Sequence, residues 1–129
     1  MTPIPRALLV SRDLFFISKV TGTASSLGID MQVAGEAQSA AQLANTASFQ
    51  SIFIDLADAG LDVAEFFAGL NPARAGSGLP VPVIAFGSHV ATARLQQARD
   101  AGCTDVMPRS RFSASLPDLL QKYCSVGGK

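Results

Sequence analysis

A chain of 129 residues that is 48% hydrophobic fits a single domain with a sizeable core. Its ten Lys/Arg and ten Asp/Glu cancel, so no net field draws it to nucleic acid or to a membrane surface. Residues 1–64 carry three basic and six acidic side chains and residues 65–129 seven and four, a mild asymmetry of about −3 and +3 that reads as solvated surface.

The first apolar run, Ala7-Leu8-Leu9-Val10, predicts a strand. Phe16, Val20, Ala24 and Leu27 then recur at helical spacing, and Gly28 closes that helix. Ile29 to Val33 is a weaker second strand, followed by a short Ala-rich helix over 39–47. Ser51 to Ile54 forms a third strand that ends on a carboxylate, Asp55. Val63, Phe66, Phe67 and Leu70 mark the next helix, with Asp62 and Glu65 in a D-x-x-E capping arrangement that removes both from the catalytic candidates. Residues 71–80, NPARAGSGLP, read as a Gly/Pro-rich loop. The Gly76-Ser77-Gly78 within it precedes a strand instead of following one, so it is not a phosphate loop. Val81 to Phe86 is the fourth strand, 91–101 a helix stopped by Gly102, and Thr104 to Met107 a short fifth strand. Leu116, Leu119, Leu120 and Tyr123 give the face of a last helix with a capping-box-like start at Ser115 and Asp118, and residues 127–129 read as a frayed tail.

Cys103 and Cys124 are too few for a disulfide framework, and no C-x-x-C pair offers a zinc site, so a reducing, cytoplasmic setting is expected. The N-terminus lacks the long apolar region of a signal peptide. A long uncharged run, Ala37 to Ile54, holds eight polar residues and is no membrane span.

Strands alternating with helices predict a parallel sheet covered on both faces, and the common solution at this size is the flavodoxin-like strand order 2-1-3-4-5 in a three-layer α/β/α sandwich. One domain, residues 1–129 with a core of about 6–123, accounts for the chain. Sites in such sheets form outside the C-terminal ends of the strands. There the sequence places Ser11, Arg12 and Asp13 after strand 1, Asp55 at the end of strand 3, Gly87, Ser88 and His89 after strand 4, and Pro108, Arg109 and Ser110 after strand 5.

The segments LLVSRD, IFIDL, LPVPVIAFGS and ARDAGCTDVMPRSRF resemble a CheY-like receiver domain of bacterial two-component signalling, over roughly residues 6–123. The resemblance implies that Asp55 stands where receivers accept a phosphoryl group from a histidine kinase. Receivers carry paired acids after strand 1 that hold Mg²⁺; here Ser11 and Arg12 stand there, and Asp13, one step on, is more simply a helix N-cap. They carry a switching Ser or Thr at the end of strand 4; here it is Gly87 with Ser88 beside it. They carry a Lys after strand 5; here it is Arg109. Phosphoryl transfer depends on positioning and on charge neutralisation by Mg²⁺, so these changes predict impaired phosphorylation. Arg12, Arg109 or both are expected to pair with Asp55 in place of a metal. The only metal candidates are then Asp13 and Asp55, and no cofactor is expected.

The sequence therefore predicts a pseudo-receiver, not an enzyme. It would act by protein–protein contact; the resemblance implies the helix 4–strand 5–helix 5 face for this, with a histidine kinase or downstream effector as partner and a homodimer as a compatible arrangement. Phe15, next to Phe16, offers a further contact residue, though partial burial is the expectation for it. One alternative is a single-domain regulator phosphorylated at Asp55 with Mg²⁺, where Ser88 and Arg109 replace the usual switch residue and lysine. Another is a small flavodoxin-like enzyme or cofactor binder, but SRDLFF after strand 1 lacks the glycines of a phosphate loop. His89 has no paired nucleophile in the sequence, and Cys103 reads as a small packing residue.

Overall fold

A computed structural model describes residues 4–57, 61–70 and 81–124. The 71–80 loop, with Gly76-Ser77-Gly78, and the 127–129 tail lie outside the described residues. Strands β1 (Arg6–Val10), β2 (Asp30–Ala34), β3 (Ser51–Asp55), β4 (Val83–Gly87) and β5 (Asp105–Pro108) form one sheet in the order β2-β1-β3-β4-β5. All neighbours are parallel, with Leu8 opposite Ile52 and Asp55 opposite Phe86. The expected architecture and strand order are therefore those observed.

Strand alternation divides the core in two. Leu8, Val10, Ile52, Ile54, Val83 and Ala85 face helices α2 (Ala37–Thr46), α3 (Val63–Ala68) and α4 (Thr92–Ala101). Ala7, Leu9, Phe53, Ile84 and Phe86 face α1 (Leu14–Ser26), α5 (Arg109–Ala114) and α6 (Leu116–Cys124). Every residue of β3 and β4 is buried, as a sheet covered on both sides requires. Asp55 is thus carried into the interior by the strand that ends on it.

Helix ends follow local chemistry. Asp13 caps α1 by accepting from the Phe16 amide at 3.2 Å, and Asp62 caps α3 by accepting from Ala64 and Glu65 at 2.9 and 3.4 Å. Gly28 and Gly102, with φ of +77° and +112°, end the helices before β2 and β5 in a backbone region open to glycine.

The last crossover differs from expectation. Residues 109–114, to which the sequence assigns no element, are helical, so six helices are seen among the described residues instead of five. The six-residue α5 is too short for helical periodicity to show. Its anchor is Phe112, fully buried and stacked on Phe86 at 4.1 Å with 8° between the rings. Helix α6 then starts at Leu116, and the Leu119 amide donates to the Ser115 carbonyl at 2.9 Å. Among the described residues, no helix is long and apolar enough to cross a membrane.

Candidate functional site

The C-terminal ends of β1, β3, β4 and β5 converge on Asp55, which is only 2% exposed. Burying a carboxylate is costly unless its oxygens are bonded and its charge is met. Here both conditions hold. Oδ2 accepts from the Ser11 hydroxyl at 2.9 Å and from Arg109 Nη2 at 3.2 Å. Oδ1 accepts from the Ala57 amide at 2.9 Å, which folds the chain after β3 back over the carboxylate.

Ser11 is itself buried, and its Oγ also accepts from the Asp13 amide at 3.2 Å. The hydroxyl therefore links the β1–α1 turn to the end of β3. Arg109, on the first turn of α5, spans the site: the same Nη2 donates to Asp13 Oδ2 at 2.9 Å and to Asp55 Oδ2. Its guanidinium carbon lies 4.3 Å from the centre of the Phe16 ring, a cation–π contact that fixes the plane of the fork. Phe16 in turn packs on Phe86 and Phe112. One cation thus rests on the aromatic core and joins two carboxylates.

Of the two arginines expected to pair with Asp55, Arg109 does so. Arg12 turns instead to the β2–α2 connection, where Nε donates to the Gly35 carbonyl at 3.0 Å and Nη2 meets Glu36 at 3.5 Å. The residue leaving β1 at position 12 points away from the sheet position that Ser11 occupies, which is why Ser11 and not Arg12 reaches Asp55. Asp13 both caps α1 and binds Arg109, so its two expected roles, cap and site acid, merge.

Gly87 and Ser88 do not reach Asp55 with a hydroxyl. A Cβ on Gly87 would stand 3.0 Å from the Leu56 Cβ, so Leu56 fills the slot beside it. The Ser88 hydroxyl accepts from the Val90 amide at 3.3 Å in the next turn. His89 is exposed in that turn. Cys103 is half-buried against the core, and burial pushes its thiol up to about 11.

The Asp13 carboxyl is held below the usual carboxylate range, first by the Phe16 amide and further by Arg109. A lowered folded pKa means that Asp13 stabilises the fold above its unfolded pKa and loses that contribution as pH falls. The melting-temperature difference between wild type and Asp13→Asn is expected to stay constant from neutral pH to about pH 4 and to shrink below it. An equal difference at pH 3 and pH 6 would rule out the charge as its source.

The residues present do not fit a divalent metal. The two acids that could share one are already bridged by a guanidinium nitrogen, and no cluster of three His, Cys, Asp or Glu side chains occurs among the described residues. Sequence reasoning missed the stacking of Arg109 on Phe16 and the part of Arg94, whose Nε and Nη2 donate to the Leu56 and Leu61 carbonyls at 3.1 Å each. An arginine on a polar helix carries no signal that it turns inward. At the rim, Leu14 and Phe15 are 78% and 91% exposed, so Phe15 is not half-covered as expected.

No family model and no curated protein matches the sequence. Solved structures do match in shape. The receiver domain of the sensor histidine kinase PA1611 from Pseudomonas aeruginosa PAO1, described with a magnesium ion coordinated in its active-site cleft, aligns with a TM-score of 0.71 at 20% identity, over 94% of this chain and 98% of that one. A response regulator from Hahella chejuensis aligns at 0.77 and 16% identity, over 92% and 94%. The receiver domain of Saccharomyces cerevisiae Ssk1, solved with the histidine phosphotransfer protein Ypd1, aligns at 0.73 and 17% identity, over 96% and 91%. The chain has the CheY-like fold of response-regulator receiver domains.

Proposed function

We propose that this receiver-fold chain is a two-component signalling module whose phosphoacceptor position is closed by an internal cation, and that it works by binding a protein partner instead of by catalysis. The observation that carries the reading is the single Arg109 nitrogen shared by Asp13 and Asp55. A guanidinium stays protonated at working pH and is covalently held, so the cation stays with the chain where a metal would exchange. It takes the Asp55 oxygen that an incoming phosphoryl group would need, and burial of Asp55 at 2% exposure keeps a donor out. Mg²⁺, which supplies charge neutralisation in phosphoryl transfer, finds both acids occupied.

A histidine phosphotransfer protein, as in the Ypd1–Ssk1 complex, or a downstream effector is the class of partner this fold suggests. The adjacent exposed side chains of Leu14 and Phe15 supply apolar contact area beside the site. The face made by α4, β5 and α6 remains the second surface, and pairing of two copies through it is compatible with the reading.

Incubation with a small phosphodonor and Mg²⁺, read by intact mass with Asp55→Asn as control, tests the proposal. No mass gain is expected, even at high Mg²⁺. A hydroxylamine-labile gain of one phosphoryl group, absent from the Asp55→Asn protein, would make the chain a phosphorylated regulator with rearranged auxiliary residues and overturn the closed-site reading.

A further inference from the structure

We infer that Arg94 is a positioning residue that holds the Leu56–Ala57 peptide against Asp55, and that helix α4 thereby controls access to the site. The inference deepens the closed-site reading by naming what regulates it. Arg94 lies on the first turn of α4 and is half-buried. Its Nε and Nη2 form one edge of the guanidinium fork, and that edge donates to two main-chain carbonyls, Leu56 and Leu61, each at 3.1 Å. Two parallel bonds from a planar fork fix orientation as well as distance, and a lysine ammonium cannot reproduce them.

The residue so held is the one that follows Asp55. The Leu56 amide donates to the Phe86 carbonyl at 2.8 Å, its side chain occupies the slot beside Gly87, and Leu95 of α4 closes the same slot. The next amide, Ala57, is the donor to Asp55 Oδ1. Arg94 therefore acts on Asp55 through one peptide unit: with the Leu56 carbonyl fixed, the Ala57 amide is aimed at the carboxylate. A displacement of α4 that withdraws Arg94 releases the Leu56 and Leu61 carbonyls together, and the Ala57 amide loses its aim at Oδ1. Arg109 binds the other oxygen from α5. The site is thus closed by two arginines on separate helices, and only the α4 one acts without touching Asp55.

The test compares wild type, Arg94→Ala and Arg94→Lys by amide hydrogen exchange and by carbodiimide-driven coupling of an amine to Asp55, without phosphodonor or Mg²⁺. In Arg94→Ala the Ala57 amide is expected to exchange about tenfold faster, as local opening requires, while the Leu8, Phe53 and Ile84 amides keep their protection. Asp55 labelling should rise several-fold. Arg94→Lys, which retains the charge and stem, should fall between the two and serves as the working variant if Arg94→Ala unfolds. Unchanged Ala57 exchange, or equal acceleration at all four amides, would overturn the inference, the latter by showing only a general loss of stability. Because no phosphorylation is measured, failure here leaves the closed-site reading standing, and a phosphorylated Asp55 leaves the latch result standing.

Discussion

Arg109→Ala is expected to destabilise the fold by about 3 kcal/mol, the lower end for removing one partner from a buried ion pair, because Arg109 keeps partial solvent contact at 28% exposure. The loss has three parts. Asp55, at 2% exposure, keeps the Ser11 and Ala57 bonds but has no cation. Asp13 loses its 2.9 Å partner. Phe16 loses the guanidinium that covers it. Urea denaturation measures the total, and a second substitution separates its sources. If an unmet buried charge dominates, Asp55→Asn placed in the Arg109→Ala background restores part of the stability, although each change alone is harmful. If the stacking on Phe16 dominates, the double variant is no better than Arg109→Ala. The same protein carries a prediction about metal. With the guanidinium gone, Asp13 and Asp55 face each other without a cation, and Mg²⁺ at about ten times its dissociation constant should restore roughly 1.4 kcal/mol. Wild type should show no such response, and a Mg²⁺-stabilised wild type would contradict the cation-filled site.

The second large effect lies beneath that arginine. Phe112→Ala should cost about 4 kcal/mol, within the range for truncating a buried phenylalanine. Phe112 has no exposed surface, stacks on Phe86 at 4.1 Å, and lies 5.7 Å from both Phe16 and Phe53. It is also the one buried residue of α5, so its removal takes away the anchor of the helix that carries Arg109. The expected outcome is therefore double: a large drop in the urea midpoint and faster exchange at the Ala57 amide on the other side of the carboxylate. Phe112→Leu fills most of the volume and should cost well under half as much. Equal costs for the two substitutions would mean that the ring stack contributes little beyond being apolar.

The architecture was legible because each strand announces itself. Four apolar residues at Ala7–Val10, and the fully buried SIFID and VIAFG segments, leave little choice of partner once short helical segments lie between them. Gly28 and Gly102 mark two helix ends in the same local way. Which residues stand at the C-terminal strand ends could be read too, since the fold decides which loops meet. What could not be read is direction. Arg12 and Arg109 have the same side chain and both follow strands, yet only Arg109 is turned inward, by a helix whose sole apolar anchor is Phe112. The pattern RSRFSA is too short to declare that helix, and Arg94 sits among polar neighbours that suggest solvent. Both arginines take their roles from tertiary contacts, which leave no periodic trace in the chain.

Arg109 is a cation on a tether. A dissolved ion occupies a site in proportion to its concentration, whereas a side chain bonded to the same backbone arrives with an effective concentration set by geometry alone. The closing charge lies 2.9 and 3.2 Å from its two carboxylates, so on the closed-site reading neither a chelator nor a change in magnesium level should alter the site. On the closed-site reading, such a module carries no record of recent phosphorylation. On that reading its output would follow how many copies are present and how many of them have helix α4 in place, not the phosphate or magnesium supply.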